Sequence, residues 1–260
     1  MPPTAPEPVV VKLGGAVCGD PATLSAFADA WRARLDGAPS CVLVHGGGPQ
    51  LDAALLALGE PITKVQGLRV TSPAAASVVL RVLDATGAAL ARSLRDHGLP
   101  AVHVPAALRL MAATRKALPG AESGRVGTVR AFDAAALRRC VPPGGLAVVT
   151  PVGWDAAGPL NVNADEGAAA VATALGASRL VLATDVAHVV DERGRPVVAM
   201  DSQAALTFLS GAAAHGGMLP KLQAALDALT AGVQEVTIGR LEAAWAGVGT
   251  RIGPQVAVPA

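Results

Sequence analysis

The sequence predicts an α/β protein, a mainly parallel sheet with helices on both faces. Three observations lead there. Short β-branched runs alternate with Ala- and Leu-rich stretches of helical spacing through most of the 260 residues. Two of the runs end in glycine clusters, Gly14-Gly15 and Gly46-Gly47-Gly48. No flexible linker or internal repeat breaks the alternation. The length suits two lobes that share a nearly continuous sheet, residues 1–175 and 176–260.

Taken in order, Val9 to Leu13 is a buried strand that runs into a glycine turn. Pro21 to Leu35 has helical spacing, with Asp20 as N-cap and Pro21 in the first helical position. Ser40 to Val44 is the second strand, and Pro49 to Leu58 a helix stopped by Gly59. Thr63 to Val70 reads as one arm of a small hairpin. Ser72 caps a long helix from Pro73 to about His97. Ala101 to Val104 is a strand, Pro105 to Val129 reads as surface hairpins, Phe132 to Arg139 as a short helix, and Leu146 to Thr150 as a strand. Asp165 to Leu175 is helical and Arg179 to Thr184 extended. Gly194 turns between Val189-Val190 and Pro196-Val197-Val198. Helices follow at Ser202 to Leu209 and Pro220 to Ala231, then a last strand at Glu235 to Ile238 and a short helix from Leu241 to about Ala246.

Composition narrows the function. Hydrophobic residues are 52% of the chain and aromatics 2%, so Ala, Val and Leu must fill the core. Lys plus Arg is 21 against 20 Asp plus Glu, with no basic tail, which argues against nucleic acid or a membrane surface as partner. Cys18, Cys41 and Cys140 have no metal spacing and read as buried small hydrophobes of a reduced, cytoplasmic protein. Met1 to Pro8 is proline-rich and lacks the apolar run of a signal peptide. Ala74 to Leu94 carries Arg81, Asp84 and Arg92 and reads as a core helix, not a membrane span.

Ligands of open α/β sheets bind at the carboxyl ends of the strands. Lys12 stands there, either snorkelling to water or aimed at an anion above the sheet. The glycine turns serve either plain turn chemistry or phosphate; neither is a Walker A loop or a proper GxGxxG. Asn161 and Asn163 share one side of an extended segment that ends at Asp165, as a doubled N-cap or as a polar substrate cluster. Lys221 follows a proline at a helix start, either solvated there or sharing an anion with the helix N-terminus. Together, two lysines, two glycine turns and an aspartate suggest transfer of a polyanionic group. No convincing catalytic His or Cys accompanies them, and His45 and His188 read as structural.

KLGG, HGGG, GLRVT (Gly67 to Thr71), NVNAD (Asn161 to Asp165), TDV (Thr184 to Val186) and GGMxxK (Gly216 to Lys221) occur in that order. Together they resemble the amino acid kinase family over about Val9 to Ile252, and within it the branch acting on N-acetyl-L-glutamate. The resemblance implies a three-layer α/β/α sandwich and ATP-dependent phosphorylation of the γ-carboxylate, the second step of arginine synthesis. It implies Lys12, Asp165 and Lys221 as the catalytic centre. Gly47, Gly48, Arg69 and Asn161 would bind the amino acid. Gly14, Gly15, Thr184, Asp185, Gly217 and Met218 would bind ATP together with the two lysines, and Mg²⁺ would enter on the ATP phosphates. The N-terminal lobe would hold the amino acid and build a homodimer; the C-terminal lobe would hold the nucleotide. Nothing in the chain speaks for or against a PII-type regulator.

Some positions depart from the family pattern. Ala187-His188 stands where many relatives have glycine after TDV, Pro105 to Leu108 replaces a glycine-aspartate turn, and an Asn is missing near Gly87 to Leu90. These leave the lysine–aspartate centre intact and bear on substrate contacts and the nucleotide pocket. Arginine-inhibited relatives carry an extra N-terminal helix. With only Met1 to Pro8 before the first strand, the expectation is a dimer with little arginine feedback. The alternatives are a related kinase of carrier-linked aminoadipate or glutamate, and a non-catalytic sensor. GLRVT and NVNAD favour the free acetylated amino acid over the first, and the complete lysine–aspartate set weighs against the second.

Overall fold

The computed structural model describes residues 8–33, 41–120, 122, 124–211 and 216–254. The expectations for Met1 to Glu7, for Arg34-Leu35 as a helix end and for Ser40 in a strand lie outside them. In chain order the first half runs β1 (Val9–Leu13), α1 (Pro21–Arg32), β2 (Cys41–His45), α2 (Gly48–Ala57), β3 (Lys64–Val65), β4 (Leu68–Arg69), α3 (Pro73–Asp96), β5 (Ala101–Val104), β6 (Met111–Arg115), β7 (Val126–Phe132) and α4 (Ala134–Cys140). It continues with β8 (Leu146–Val149), β9 (Val152–Asp155), β10 (Gly158–Val162), α5 (Ala164–Leu175), β11 (Arg179–Ala183), β12 (Val189–Val190), β13 (Pro196–Val197), β14 (Ala199–Asp201), α6 (Ser202–Ser210), α7 (Met218–Thr230), β15 (Glu235–Gly239), α8 (Leu241–Trp245) and β16 (Thr250–Gly253).

Eight strands form one sheet in the order β14-β16-β15-β11-β1-β2-β8-β5. Every pairing in it is parallel except β15 with β16. Strand alternation sorts the side chains of β1 between two layers. Val9, Val11 and Leu13 pack with Phe27 and Trp31 of α1, Leu90 and Leu94 of α3 and Trp245 of α8. Val10 joins Ala168 and Val171 of α5 and Leu222 and Ala225 of α7 on the other face. Lys12 has the parity of Val10, so it must point toward α5 and α7. The helical layers on both faces make the expected three-layer α/β/α sandwich.

The sequence reading needs correcting at several elements. The region from Pro105 to Val129 does hold an antiparallel hairpin, β6 with β7, but it is not a surface one: Met111, Ala113 and Val126 are buried, and the pair closes a small barrel with β9, which the reading missed, and β10, of which it read only the Asn161 end as extended. Phe132 ends β7, and the following helix starts at Ala134 with Asp133 as its cap. Glu235 to Ile238 is not the last strand, because β16 follows antiparallel to it, and β14 was also missed. Cys18 and Cys41 are buried as expected, but Cys140 is exposed at the end of α4. The long helix α3 is apolar enough by composition to cross a membrane, but it packs into the fold with Val79, Leu83, Leu90, Ala91 and Leu94 buried. Ser72 caps it as expected, its Oγ accepting from the Ala75 N–H at 3.0 Å.

Candidate active site

The register of β1 against β2 pairs Leu13 with His45, which sets the two glycine turns side by side. The Gly46 N–H donates to Leu13 O at 2.7 Å, and Gln50 Nε2 donates to Gly15 O at 3.0 Å. A Cβ on Gly15 would lie 2.7 Å from Gly48 N. Gly15 is therefore required by the fold itself. Gly48 and Gly217 differ: a side chain on either would meet nothing within 4 Å, and both border a cavity of about 350 Å³.

Lys12, Asp165 and Lys221 meet in the wall of that cavity. Lys12 Nζ lies 3.0 Å from Asp165 Oδ1, and Lys221 Nζ lies 3.2 Å from each carboxylate oxygen. The three are 6%, 4% and 8% exposed. Lys12 does not snorkel, and Lys221 is not a solvated lysine of an exposed first turn. Helix α7 begins at Met218, three residues earlier, which turns Lys221 inward. The doubled cap is also excluded. Asn163 alone caps α5, accepting from the Asp165 and Glu166 N–H groups at 2.9 and 3.2 Å, and this frees the Asp165 carboxylate for the lysines.

A buried centre of two cations and one anion keeps an excess positive charge, which draws in anions. Burial pulls Lys12 down, but the Asp165 carboxylate outweighs it and Lys12 sits above its ordinary value. Burial pushes Asp165 up, and the two lysines more than reverse that. Lys221 gains less. Burial, together with the charge of Lys12, overrides Asp165 and lowers Lys221 to about 8.

On one side of the centre, the barrel and the hairpin bring up Asn161 and Arg69. Both line the cavity, as do Gly15, Gly47 and Gly48. Asn161 Nδ2 donates to Thr71 Oγ1 at 2.9 Å, and Thr71 Oγ1 donates to Arg69 O at 3.1 Å. The sequence reading missed Asp52 of α2, whose Oδ1 lies 2.5 Å from Arg69 Nη1 and holds that side chain in place. It also missed Lys64 of β3, a further cation on the cavity. The polar turn of an otherwise apolar helix was the available signal for Asp52.

Asp185, Val189, Pro196, Met218 and Arg240 line a second cavity of about 470 Å³. Its Met218 is the chain neighbour of Gly217, which lines the first. Thr184 lines neither; its Oγ1 donates to Asp185 Oδ1 at 3.0 Å. Gly14 lines neither cavity, and its carbonyl accepts from the Cys18 N–H at 3.2 Å.

The amino acid kinase family matches residues 7–240, most of the chain. The chain belongs to the amino acid kinase family. An acetylglutamate kinase of Geobacillus stearothermophilus is 37% identical over 232 residues, 88% of each chain. One of Bacillus cereus (strain G9842) is 35% identical over 231 residues, again 88% of each. Among solved structures, a protein of Streptococcus mutans UA159 superposes with a TM-score of 0.81 at 28% identity, over 95% of this chain and 99% of its own. Membership of this family makes the protein a phosphotransferase.

Proposed function

We propose that the protein phosphorylates the γ-carboxylate of N-acetyl-L-glutamate with ATP, the second step of arginine synthesis. The observation that carries this is the buried Lys12–Asp165–Lys221 centre in the wall of one cavity that also bears Arg69 and Asn161. The two relatives named acetylglutamate kinase supply the choice of substrate.

A carboxylate is already ionised at neutral pH, so the nucleophile needs no general base. Its oxygen forms a bond to the γ-phosphorus. The bond from that phosphorus to the β–γ bridging oxygen breaks, and its electron pair leaves on ADP. The difficulty is holding two anions together and stabilising spread charge. Lys12 and Lys221 do this from opposite elements, β1 and α7. Asp165 is the positioning residue that aims both. Gly47 and Gly48 offer backbone to the amino acid, and Arg69 with Asn161 receives its α-carboxylate. Gly14 and Gly15 are assigned to the phosphates by the family resemblance alone. The nucleotide lies along Gly217 and Met218 toward Asp185 and Thr184.

Among the described residues no group of three or more His, Cys, Asp or Glu could hold a metal ion. Asp165 is engaged by both lysines, so Mg²⁺ is carried by the ATP phosphates and supplies further charge neutralisation there. A homodimer built through residues 1–175, with nucleotide on 176–260, and a cytoplasmic location complete the reading.

The test is ADP release with Mg²⁺, ATP and free N-acetyl-L-glutamate or glutamate, trapping acyl phosphate with hydroxylamine. Hydroxamate from the acetylated substrate alone is expected. No hydroxamate from either would move the assignment to a carrier-linked substrate, and failure there to a sensor.

A further inference from the structure

We infer that His45, through an ordered chain of hydrogen bonds with Thr150 and His103, aims the Gly46–Gly47 peptide so that its N–H faces the substrate cavity. His45 is fully buried at the end of β2, touches no reacting group, and has no part in the mechanism above. Its Nδ1 lies 3.1 Å from Gly46 O and its Nε2 3.5 Å from Thr150 Oγ1. Thr150 Oγ1 is also 3.1 Å from His103 Nε2, which lies 3.8 Å from Asp84 Oδ1.

One acceptor sets the direction of the whole chain. A carbonyl oxygen can only accept, so Nδ1 of His45 carries the proton. Burial keeps the ring neutral by lowering it to about 4, against the smaller upward pull of the Gly46 carbonyl and then of Asp84, with His103 acting the same way as burial. Its Nε2 is then an acceptor, and the Thr150 hydroxyl must donate to it. The Thr150 oxygen in turn accepts from His103 Nε2–H. Asp84 is itself held, its Oδ1 accepting from the Ala106 N–H at 2.9 Å.

A trans peptide points its N–H opposite to its C=O. Holding Gly46 O toward His45 therefore turns the Gly47 N–H away, and Gly46, Gly47 and Gly48 all line the cavity. Cys18 supports the same carbonyl more weakly, with Sγ 3.8 Å from it. The fold makes room for the pair of rings at Gly87 of α3. A Cβ there would lie 2.7 Å from His45 Nε2 and 2.9 Å from His103 Nε2. A glycine inside a helix costs about 1 kcal/mol relative to Ala, so the ring pair occupies a space that an ordinary helix residue would close.

This inference rests on the kinase reading for its kinetic arm only. Asn can place an amide N–H near the Nδ1 position, whereas Gln places its amide near Nε2. With N-acetyl-L-glutamate, Mg²⁺ and ATP, His45→Asn should keep kcat within about threefold. His45→Gln should lose about tenfold or more in kcat, since a misaimed donor forfeits part of what an oxyanion donor supplies, while both KM values hold within about twofold. Equal losses in the two variants, a loss in KM alone, or full kcat in His45→Gln would overturn the inference. The second arm is nitrogen-15 NMR of the wild-type chain. Protonated Nδ1 with bare Nε2 at His45 is expected at pH 7, and a protonated Nε2 with bare Nδ1 overturns it. That spectrum decides even where acetylglutamate is not turned over, a result that would count against the proposed function alone.

Discussion

Replacing Lys221 by Met should stabilise the resting protein while abolishing its chemistry. Lys221 is lowered from 10.5 to about 8, first by burial and then by Lys12. At about 1.4 kcal/mol per pK unit, keeping it charged below pH 8 costs the folded state about 3 kcal/mol. The sign follows from proton counting. Between about 8 and 10.5 the unfolded chain holds this proton and the folded chain does not, so stability rises with pH through that window. Below it the full cost is present. Methionine keeps most of the volume and removes the charge, and Asp165 retains Lys12 at 3.0 Å. A gain of about 1–3 kcal/mol at pH 7 is expected, the shortfall coming from the lost Lys221–Asp165 bonds. Urea unfolding of both proteins at pH 7 and pH 10 measures it. The variant's advantage should be large at pH 7 and mostly gone by pH 10, with turnover down by about a hundredfold or more. A variant less stable than wild type at pH 7, or an advantage that does not change with pH, would refute the reasoning.

Lys12 should behave in the opposite way. Its folded value is raised, so its charge stabilises in full below the ordinary lysine value and the benefit is lost as pH rises through the higher folded value; Lys12→Met should destabilise the protein in urea at pH 7 and abolish turnover. ATP binding should weaken from pH 7 to pH 9.5, because Lys221 loses its proton above about 8. Calorimetry in buffers of different ionisation enthalpy should show proton uptake on binding at pH 9 and almost none at pH 7. Gly48→Ala should leave stability within about 0.5 kcal/mol or raise it while lowering turnover, whereas Gly15→Ala should destabilise, because its Cβ would lie 2.7 Å from Gly48 N. Thermal melts set beside steady-state rates test both.

Much of the site could be read from the chain because its parts lie at strand ends and helix starts, where glycine, asparagine and lysine stand out from an Ala- and Leu-rich background. Lys12, Asp165 and Lys221 converge, as do Arg69 and Asn161. What stayed hidden depends on partners distant in sequence. Asp52 is one acid on a surface helix until the hairpin folds over and lays Arg69 against it. Strand β9 is short and only partly buried, so neither periodicity nor an apolar run marks it, and of β10 only the Asn161 end reads as extended; both are completed by the barrel they close with β6 and β7. Strand β16 has the same cause, borrowing its order from β15 and β14 on either side of it. His45 read as structural and nothing in the sequence singled out His103; only the closeness of both rings to Gly87 gives that helix glycine a purpose.

The glycine turns also resolve once the space around each residue is known. Composition alone cannot separate a glycine needed by the fold from one needed by a ligand, since both replace a side chain by nothing. Gly15 belongs to the first kind, its Cβ position already taken by the neighbouring turn's backbone. Gly48 and Gly217 belong to the second. No positive φ requires them and no protein atom lies within 4 Å of their Cβ positions, yet both border the cavity that holds the two lysines. They stand at the starts of α2 and α7, elements separated by most of the chain, and the space they leave open belongs to the cavity that Asp165 also lines. A fold gains nothing by leaving such space in two unrelated helix starts around a buried excess of positive charge. A polyanion that must approach both backbones and both ammonium groups gives all of these features one cause.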